Sequence, residues 1–334
     1  MPELVNKLLD LYPAQFRPTD PITPLGNSGG GSGATLWQYA SGLGLLGIRA
    51  WPVDGPNLTA LTHIHRWLDR LADLGFVPIP IPTRDGRTIV DFEGRFYELS
   101  RWMPGASDLD RPPAPSRLRS AFSGLAAVHQ RLSAPPRTGR SSALQARLDE
   151  AESLLAMELG LMDFAVGKTP GDPIGERSRR WLSVARDGLV SLLPKLRRAV
   201  GVELRLQPVL RDARPEHFLF EGDRLVGLVD FGAMGVDSLA VDLARLLSEW
   251  VGTDRAAQTT ALDAYTGINS LSPHEVESID LFAESAAWLG PARWIRWHFV
   301  ERRPFDDPDA VRRGLDRSLS RLFERIAPIR SSEP

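Results

Sequence analysis

Two aspartates, at positions 212 and 230, and a histidine at 217 are the residues of this chain whose types and spacing could do chemistry together. Asp212 lies in Leu210-Arg211-Asp212-Ala213-Arg214-Pro215-Glu216-His217, a stretch too polar and too interrupted by proline for a buried strand, so it belongs in a loop. Asp230 closes the apolar run Leu225-Val226-Gly227-Leu228-Val229 and is followed by Phe231-Gly232. A carboxylate at the end of a buried strand is costly unless something pairs with it, and a divalent cation on a polyphosphate is one such partner. Phosphoryl transfer uses one carboxylate to position a hydroxyl nucleophile and another to hold metal on the phosphates. Asp212 is the candidate catalytic residue and Asp230 the candidate metal ligand. Aspartate is common in turns for purely local reasons, but the order loop Asp, His, strand, turn, strand, Asp-Phe-Gly is hard to assemble by chance. Three roles are open to His217: fixing the orientation of Asp212, ligating a softer ion such as Mn²⁺, or marking a metal position that is lost, with weak or no catalysis. Mg²⁺ favours oxygen, whereas imidazole suits softer ions.

Two further features could touch phosphate. The loop Gly26-Asn27-Ser28-Gly29-Gly30-Gly31-Ser32-Gly33-Ala34 lies between two strand-like segments. Gly29, Gly30, Gly31 and Ser32 could bring backbone N–H groups close to a phosphate, because no Cβ intervenes. The loop lacks the Gly-Lys-Ser/Thr of a P-loop, and a flexible hairpin connection is the alternative. Arg49 is charged within the apolar Leu45-Leu46-Gly47-Ile48-Arg49-Ala50-Trp51. It is either an edge-strand cation facing solvent or a guanidinium that forks onto nucleotide phosphates. A site of this kind calls for a Glu on the following helix to orient the cation; that segment offers Asp69 and Asp73 but no Glu, so the partner is unidentified. Asp242 reads as a helix-start brace, His129 as a core histidine, and Trp288, Trp294 and Trp297 mostly as core, with the last two as candidate pocket walls.

The elements that must position these residues follow from periodicity. A short helix opens the chain. Strand patterns follow at 22–25, 34–39 and 45–51, then at 88–92 and 95–100 around a Glu93-Gly94 turn. Between them, Leu58, Leu61, Ile64, Leu68, Leu71 and Leu74 recur at helical spacing, with Asn57 as N-cap and Gly75 as the stop. From Pro104-Gly105 to Pro115 the chain turns rich in Pro, Asp and Ser, which places a boundary near residues 100–105. Helical patterns then dominate, over 117–132, 144–162, 174–200, 239–250, 254–267, 274–302 and 309–326, interrupted by the Asp212 loop and the hairpin 218–220 and 225–230. The first half is thus an antiparallel sheet with one helix and the second is mainly helical.

Composition bounds the rest. A chain of 334 residues can bury two cores. The net charge of −2 gives no pull toward nucleic acid or an anionic membrane. Cysteine is absent, which removes disulfides and thiolate metal sites. No secretory signal and no apolar run near the ~20 residues of a membrane helix are visible, so the expectation is a soluble, cytoplasmic protein without nucleic-acid or membrane partners.

With these residues in hand, the chain resembles the aminoglycoside phosphotransferase and choline kinase-like family from about Ile22 to about Leu322. The family's His-Gly-Asp-x-x-x-x-Asn loop corresponds to Leu210-Arg211-Asp212 and His217, its Asp-Phe-Gly-like element to Asp230-Phe231-Gly232, and its Asp-Leu-Ala helix start to Asp242-Leu243-Ala244. Leu125-Ala126-Ala127-Val128-His129 resembles its Leu-Ala-x-Leu-His helix. The resemblance implies an α+β, two-lobed protein-kinase-like fold: an N-lobe over 1–103 and a helical C-lobe over 104–334. It implies a hinge near 99–102, where Leu99 and Arg101 meet the nucleotide. It implies ATP and Mg²⁺, or Mn²⁺, and an unidentified small-molecule hydroxyl as acceptor. The departures are Leu210 for His, His217 for Asn and Arg49 for the strand Lys. They keep open a pseudokinase, a nucleotide-binding or scaffold module without turnover. No acidic cluster suited to a polycationic aminoglycoside stands out.

Overall fold

The structure, a computed structural model, describes residues 2–26, 33–109, 113–305, 307 and 309–327. Its elements begin with helix α1 (Pro2–Leu9). Strands β1 (Thr23–Gly26), β2 (Thr35–Ser41) and β3 (Gly44–Ala50) follow. Helix α2 (Leu58–Asp69) then leads to β4 (Val90–Phe92) and β5 (Arg95–Arg101). The five strands form one antiparallel sheet in the order β1-β2-β3-β5-β4. In β3, Leu46, Ile48 and Ala50 are buried while Gly47 and Arg49 lie on the opposite face, as the two-residue period of a strand requires. The buried face packs with Val5, Leu8 and Tyr12, joined by Tyr39, Tyr97 and Leu99. That leaves the other face for polar work.

Helix α2 starts where Asn57 accepts a hydrogen bond from the Ala60 N–H at 2.9 Å. Leu61, Ile64, His65 and Leu68 form its buried stripe. The helix expected through Leu74 ends earlier. The Leu71 N–H reaches back only to Leu68 O, and a 3₁₀ turn over Ala72–Leu74 closes on Gly75 at φ 73°.

The rest of the chain carries β6 (Ala106–Ser107), α3 (Pro115–Leu132), β7 (Arg137–Gly139), α4 (Ser142–Ser153), α5 (Leu159–Gly167) and α6 (Gly175–Ala199). Strand β8 (Leu204–Val209), the hairpin β9 (Phe218–Glu221) and β10 (Arg224–Leu228), and β11 (Gly235–Asp237) come next. Helices α7 (Ala240–Leu246), α8 (Arg255–Thr266), α9 (Pro273–Ile295) and α10 (Ala310–Ile326) complete it. Three helices expected to run straight through contain a π turn instead, over Leu154–Glu158, Leu247–Val251 and Arg296–Val300. These turns hold ion-paired residues: Arg296 meets Glu158 at 2.6 Å, and Glu249 meets Arg321 at 3.0 Å.

Residue contacts group the chain into two compact units: Met1–Ala134 with Leu210–Gly235 and Thr260–Asn269, and Pro135–Val209 with Val236–Thr259 and Ser270–Pro334. In the first, His129 is fully buried and its Nδ1 lies 2.8 Å from the Tyr265 hydroxyl, a satisfied core histidine. In the second, tryptophans fill close helix contacts. A Cβ at Gly188 would lie 2.2 Å from the Trp288 ring, and one at Gly314 would lie 2.2 Å from Trp294.

Candidate active site

Strand β8 delivers the chain to Leu210, fully buried where the resemblance implies a histidine. Arg211 then turns at φ 63°, and Asp212 follows. The loop closes in a 3₁₀ turn over Pro215–His217, with the His217 N–H bonded to Arg214 O at 3.0 Å. The β9–β10 hairpin pairs Phe218 with Leu228, and the next N–H, of Val229, bonds back to His217 O at 3.0 Å. That bond fixes the end of the hairpin to the Asp212 loop. Asp230 itself sits at φ 63°, a region L-residues enter reluctantly but aspartate tolerates better than most.

These constraints bring one ligand atom each of Asp212, His217 and Asp230 within 4.8 Å of one another. The His217 Nδ1 lies 2.9 Å from the Asp212 backbone carbonyl. A carbonyl only accepts, so Nδ1 carries the proton and Nε2 faces Asp230 Oδ2 at 3.6 Å. Of the roles open to it, His217 braces the backbone of residue 212 and presents a ring nitrogen to Asp230. Such a fixed tautomer is the usual state of a metal-binding histidine.

Arg49 is no solvent-facing edge cation. Its side chain is 22% exposed, its Nη1 lies 3.2 Å from Asp230 Oδ1, and its Nε lies 3.8 Å from Glu98 Oε1. The guanidinium stacks over the Trp51 ring, 4.9 Å from its centroid. The cation's carboxylate partner is therefore Glu98, directly opposite it in the β3–β5 register. Glu98 Oε2 also accepts from Trp51 Nε1 at 3.2 Å and from His65 Nε2 at 2.8 Å. His65 Nδ1 lies 2.8 Å from the Thr88 hydroxyl. Burial pushes the Glu98 carboxyl up. The His65 hydrogen bond, the Arg49 charge and the Trp51 donor together outweigh it, and hold Glu98 below the ordinary carboxylate range. Trp51 also covers Gly232, where a Cβ would lie 2.9 Å from the ring.

Leu99 and Arg101 lie on β5, the strand that carries Glu98. Leu99 is buried and its carbonyl accepts the Ile81 N–H at 2.7 Å, while Arg101 pairs with Leu46 at the strand end. The Trp102 N–H donates to Leu45 O at 3.0 Å, and the Trp102 ring lies against Gly47. Gly29, Gly30, Gly31 and Ser32 fall outside the described residues. Asp212, His217, Asp230 and Arg49 come together, and all lie within one compact unit. Sequence reasoning missed Glu98, His65 and Trp51. The available signal was a lone glutamate between the buried Tyr97 and Leu99, on the strand face that Arg49 also uses.

An antiparallel five-stranded sheet with one helix, then a mainly helical remainder carrying a carboxylate loop and an Asp-Phe-Gly hairpin, is a two-lobed protein-kinase-like fold. Solved structures bear this out. An amicoumacin kinase in complex with AMP-PNP, Ca²⁺ and Ami superposes with a TM-score of 0.63, at 15% identity, over 98% of this chain and 93% of that one. A microcompartment-associated aminopropanol kinase gives 0.62 at 16% identity, over 96% and 95%. The chain belongs to the phosphotransferase enzyme family, whose sequence pattern matches residues 53–278. That span contains Asp212, His217 and Asp230 and begins after Arg49. Among curated relatives, the homoserine kinase of Brucella anthropi is 26% identical over 230 residues, 66% of this chain and 63% of that protein. The homoserine kinase of Sinorhizobium medicae is 25% identical over 252 residues, 70% and 65%. The match spans less than two thirds of either relative.

Proposed function

We propose that this protein is an ATP-dependent phosphotransferase acting on a hydroxyl of a small molecule. The observation that supports it most is the convergence of Asp212, His217 and Asp230, with Arg49 on the far side of Asp230. Asp212 accepts a hydrogen bond from the acceptor hydroxyl, orients its oxygen and takes its proton as phosphorus is attacked. Asp230 and the His217 Nε2 would hold a divalent cation, since a carboxylate with an imidazole nitrogen suits Mn²⁺ better than Mg²⁺. The cation, when bound, neutralises phosphate charge. Arg49 adds a forked donor for the phosphates, and Gly29 to Ser32 are assigned to the same task. The division into an N-lobe over 1–103 and a C-lobe over 104–334, with the base held near Leu99 and Arg101, belongs to this reading. Positioning and charge supply nearly all of the acceleration in such chemistry.

What favours turnover over a scaffold role is that Asp212, which a nucleotide-binding module alone would not require, is kept beside the metal-ligand pair, with its carbonyl held by the His217 ring. Homoserine is the first acceptor to try, since the curated relatives are named for it. The test is ADP release over a panel of small amino alcohols, with AMP-PNP binding measured in parallel. Asp212→Asn should lower kcat by about 10²- to 10⁴-fold while AMP-PNP affinity changes little. Asp230→Asn should remove the metal dependence of AMP-PNP binding. Equal turnover in Asp212→Asn and the natural protein would reject the role of Asp212.

A further inference from the structure

Resting on the nucleotide-binding reading above, we infer that Glu98 and His65 are the positioning residues of Arg49, with the carboxylate moved from the helix to the strand. Helix α2 carries no glutamate, and its C-terminal Asp69 is exposed. Asp73, beyond the helix, is taken by an ion pair with Arg131. On the buried face of α2, where a carboxylate could have reached the sheet, stands His65 instead. Its Nε2 grips Glu98 and its Nδ1 is held by Thr88, so the ring is fixed at both nitrogens. Glu98 receives three groups: the His65 ring, the Trp51 indole and, on its other oxygen, the Arg49 guanidinium.

The pairing explains why the cation is an arginine. Nε is directed to Glu98 while Nη1 reaches Asp230. A planar fork meets two acids in fixed directions; a lysine ammonium, a compact charge on a flexible stem, can approach both but fixes neither direction. Because Glu98 anchors the Nε side, the Nη nitrogens keep their direction toward phosphate once Asp230 turns to a cation. Helix α2 thereby acts on the phosphate site through a histidine–glutamate hydrogen bond rather than an ion pair of its own.

The test measures AMP-PNP affinity with Mn²⁺, and the thermal midpoint, for the natural protein and for Arg49→Ala, Arg49→Lys, Glu98→Gln, His65→Leu, His65→Gln and Arg49→Ala/Glu98→Gln. Glu98→Gln and His65→Leu should each weaken AMP-PNP binding by about tenfold or more, the scale of one charged hydrogen bond. His65→Gln, which keeps a donor for Glu98, should stay within about threefold. Arg49→Lys should fall well short of restoring affinity. The double variant should bind no more weakly than Arg49→Ala, because Glu98 acts only through Arg49. Factors that multiply in the double variant, or a Glu98→Gln protein that binds normally while Arg49→Ala does not, overturn this inference alone. A natural protein that binds no AMP-PNP overturns the nucleotide reading, and this inference with it. Should Glu98→Gln not fold, the contrast between His65→Gln and His65→Leu decides: equal affinities overturn the assignment.

Discussion

Position 217 separates two jobs that a single side chain performs here. Nδ1 holds the Asp212 carbonyl, and Nε2 faces Asp230. Asparagine at this place would offer a harder oxygen ligand, so His217→Asn should move metal preference toward Mg²⁺. The readout is the ratio of AMP-PNP affinities with Mn²⁺ and with Mg²⁺; a ratio unchanged by the substitution would remove His217 from the ligand set. Asp230 is constrained differently. At φ 63° the backbone tolerates aspartate, asparagine or glycine, so Asp230→Asn isolates the charge, whereas Asp230→Glu adds strain of about 1–2 kcal/mol to a misplaced carboxylate. The meeting of both aspartates was legible in the sequence through the order loop Asp, His, strand, turn, strand, Asp-Phe-Gly, although turn chemistry alone would account for Asp212. Glu98 was not, since its meaning lies in facing Arg49 across two strands, and cross-strand register is set by turns and packing rather than by either strand's own residues.

Elements transmit these constraints. The Trp51 indole binds Glu98, supports Arg49 and covers Gly232, so the exit of β3 and the turn after β10 share one side chain. Gly232→Ala would place a methyl 2.9 Å from that ring and should displace it. Nucleotide affinity is expected to fall together with the tryptophan emission of the folded protein; unchanged values for both would contradict the coupling. Helix α9 begins with a full capping box, in which Ser272 and Glu275 exchange bonds, and Glu275 also pairs with Arg205 of β8 at 3.1 Å. Ser272→Ala should cost about 1 kcal/mol in a denaturant titration. Most elements were readable from periodicity, but β8 was not: Pro208 lies inside it and reads as a strand breaker. The π turns were hidden for another reason. An added residue shifts the phase of the apolar stripe but leaves helical spacing within each flank, so each flank still reads as helix and the join does not show.

For the whole molecule, charge contributes through local pairs more than through the net value of −2. The Glu98 carboxyl is held below its ordinary range, so the folded chain takes up that proton less readily than the unfolded one. The stabilisation is complete above the ordinary carboxylate range and is lost as pH falls from that range through the lower value of the folded state. The difference in thermal midpoint between the natural protein and Glu98→Gln should therefore shrink below about pH 4, and a difference constant from pH 7 to 3 would exclude it. Among the described residues, no helix is long and apolar enough to cross a membrane. The chain passes between its two compact units after Ala134, Val209, Gly235, Thr259 and Asn269. A fragment ending at Val209 keeps Arg49, His65 and Glu98 yet carries neither aspartate; one beginning at Leu210 has both acids and no cation clamp. A cut after Gly235 would retain all of these residues but remove Thr260–Asn269, the last segment of the same unit, and with it the Tyr265 hydroxyl that meets His129, so recombination between relatives would have to preserve matched partners on both sides of the join.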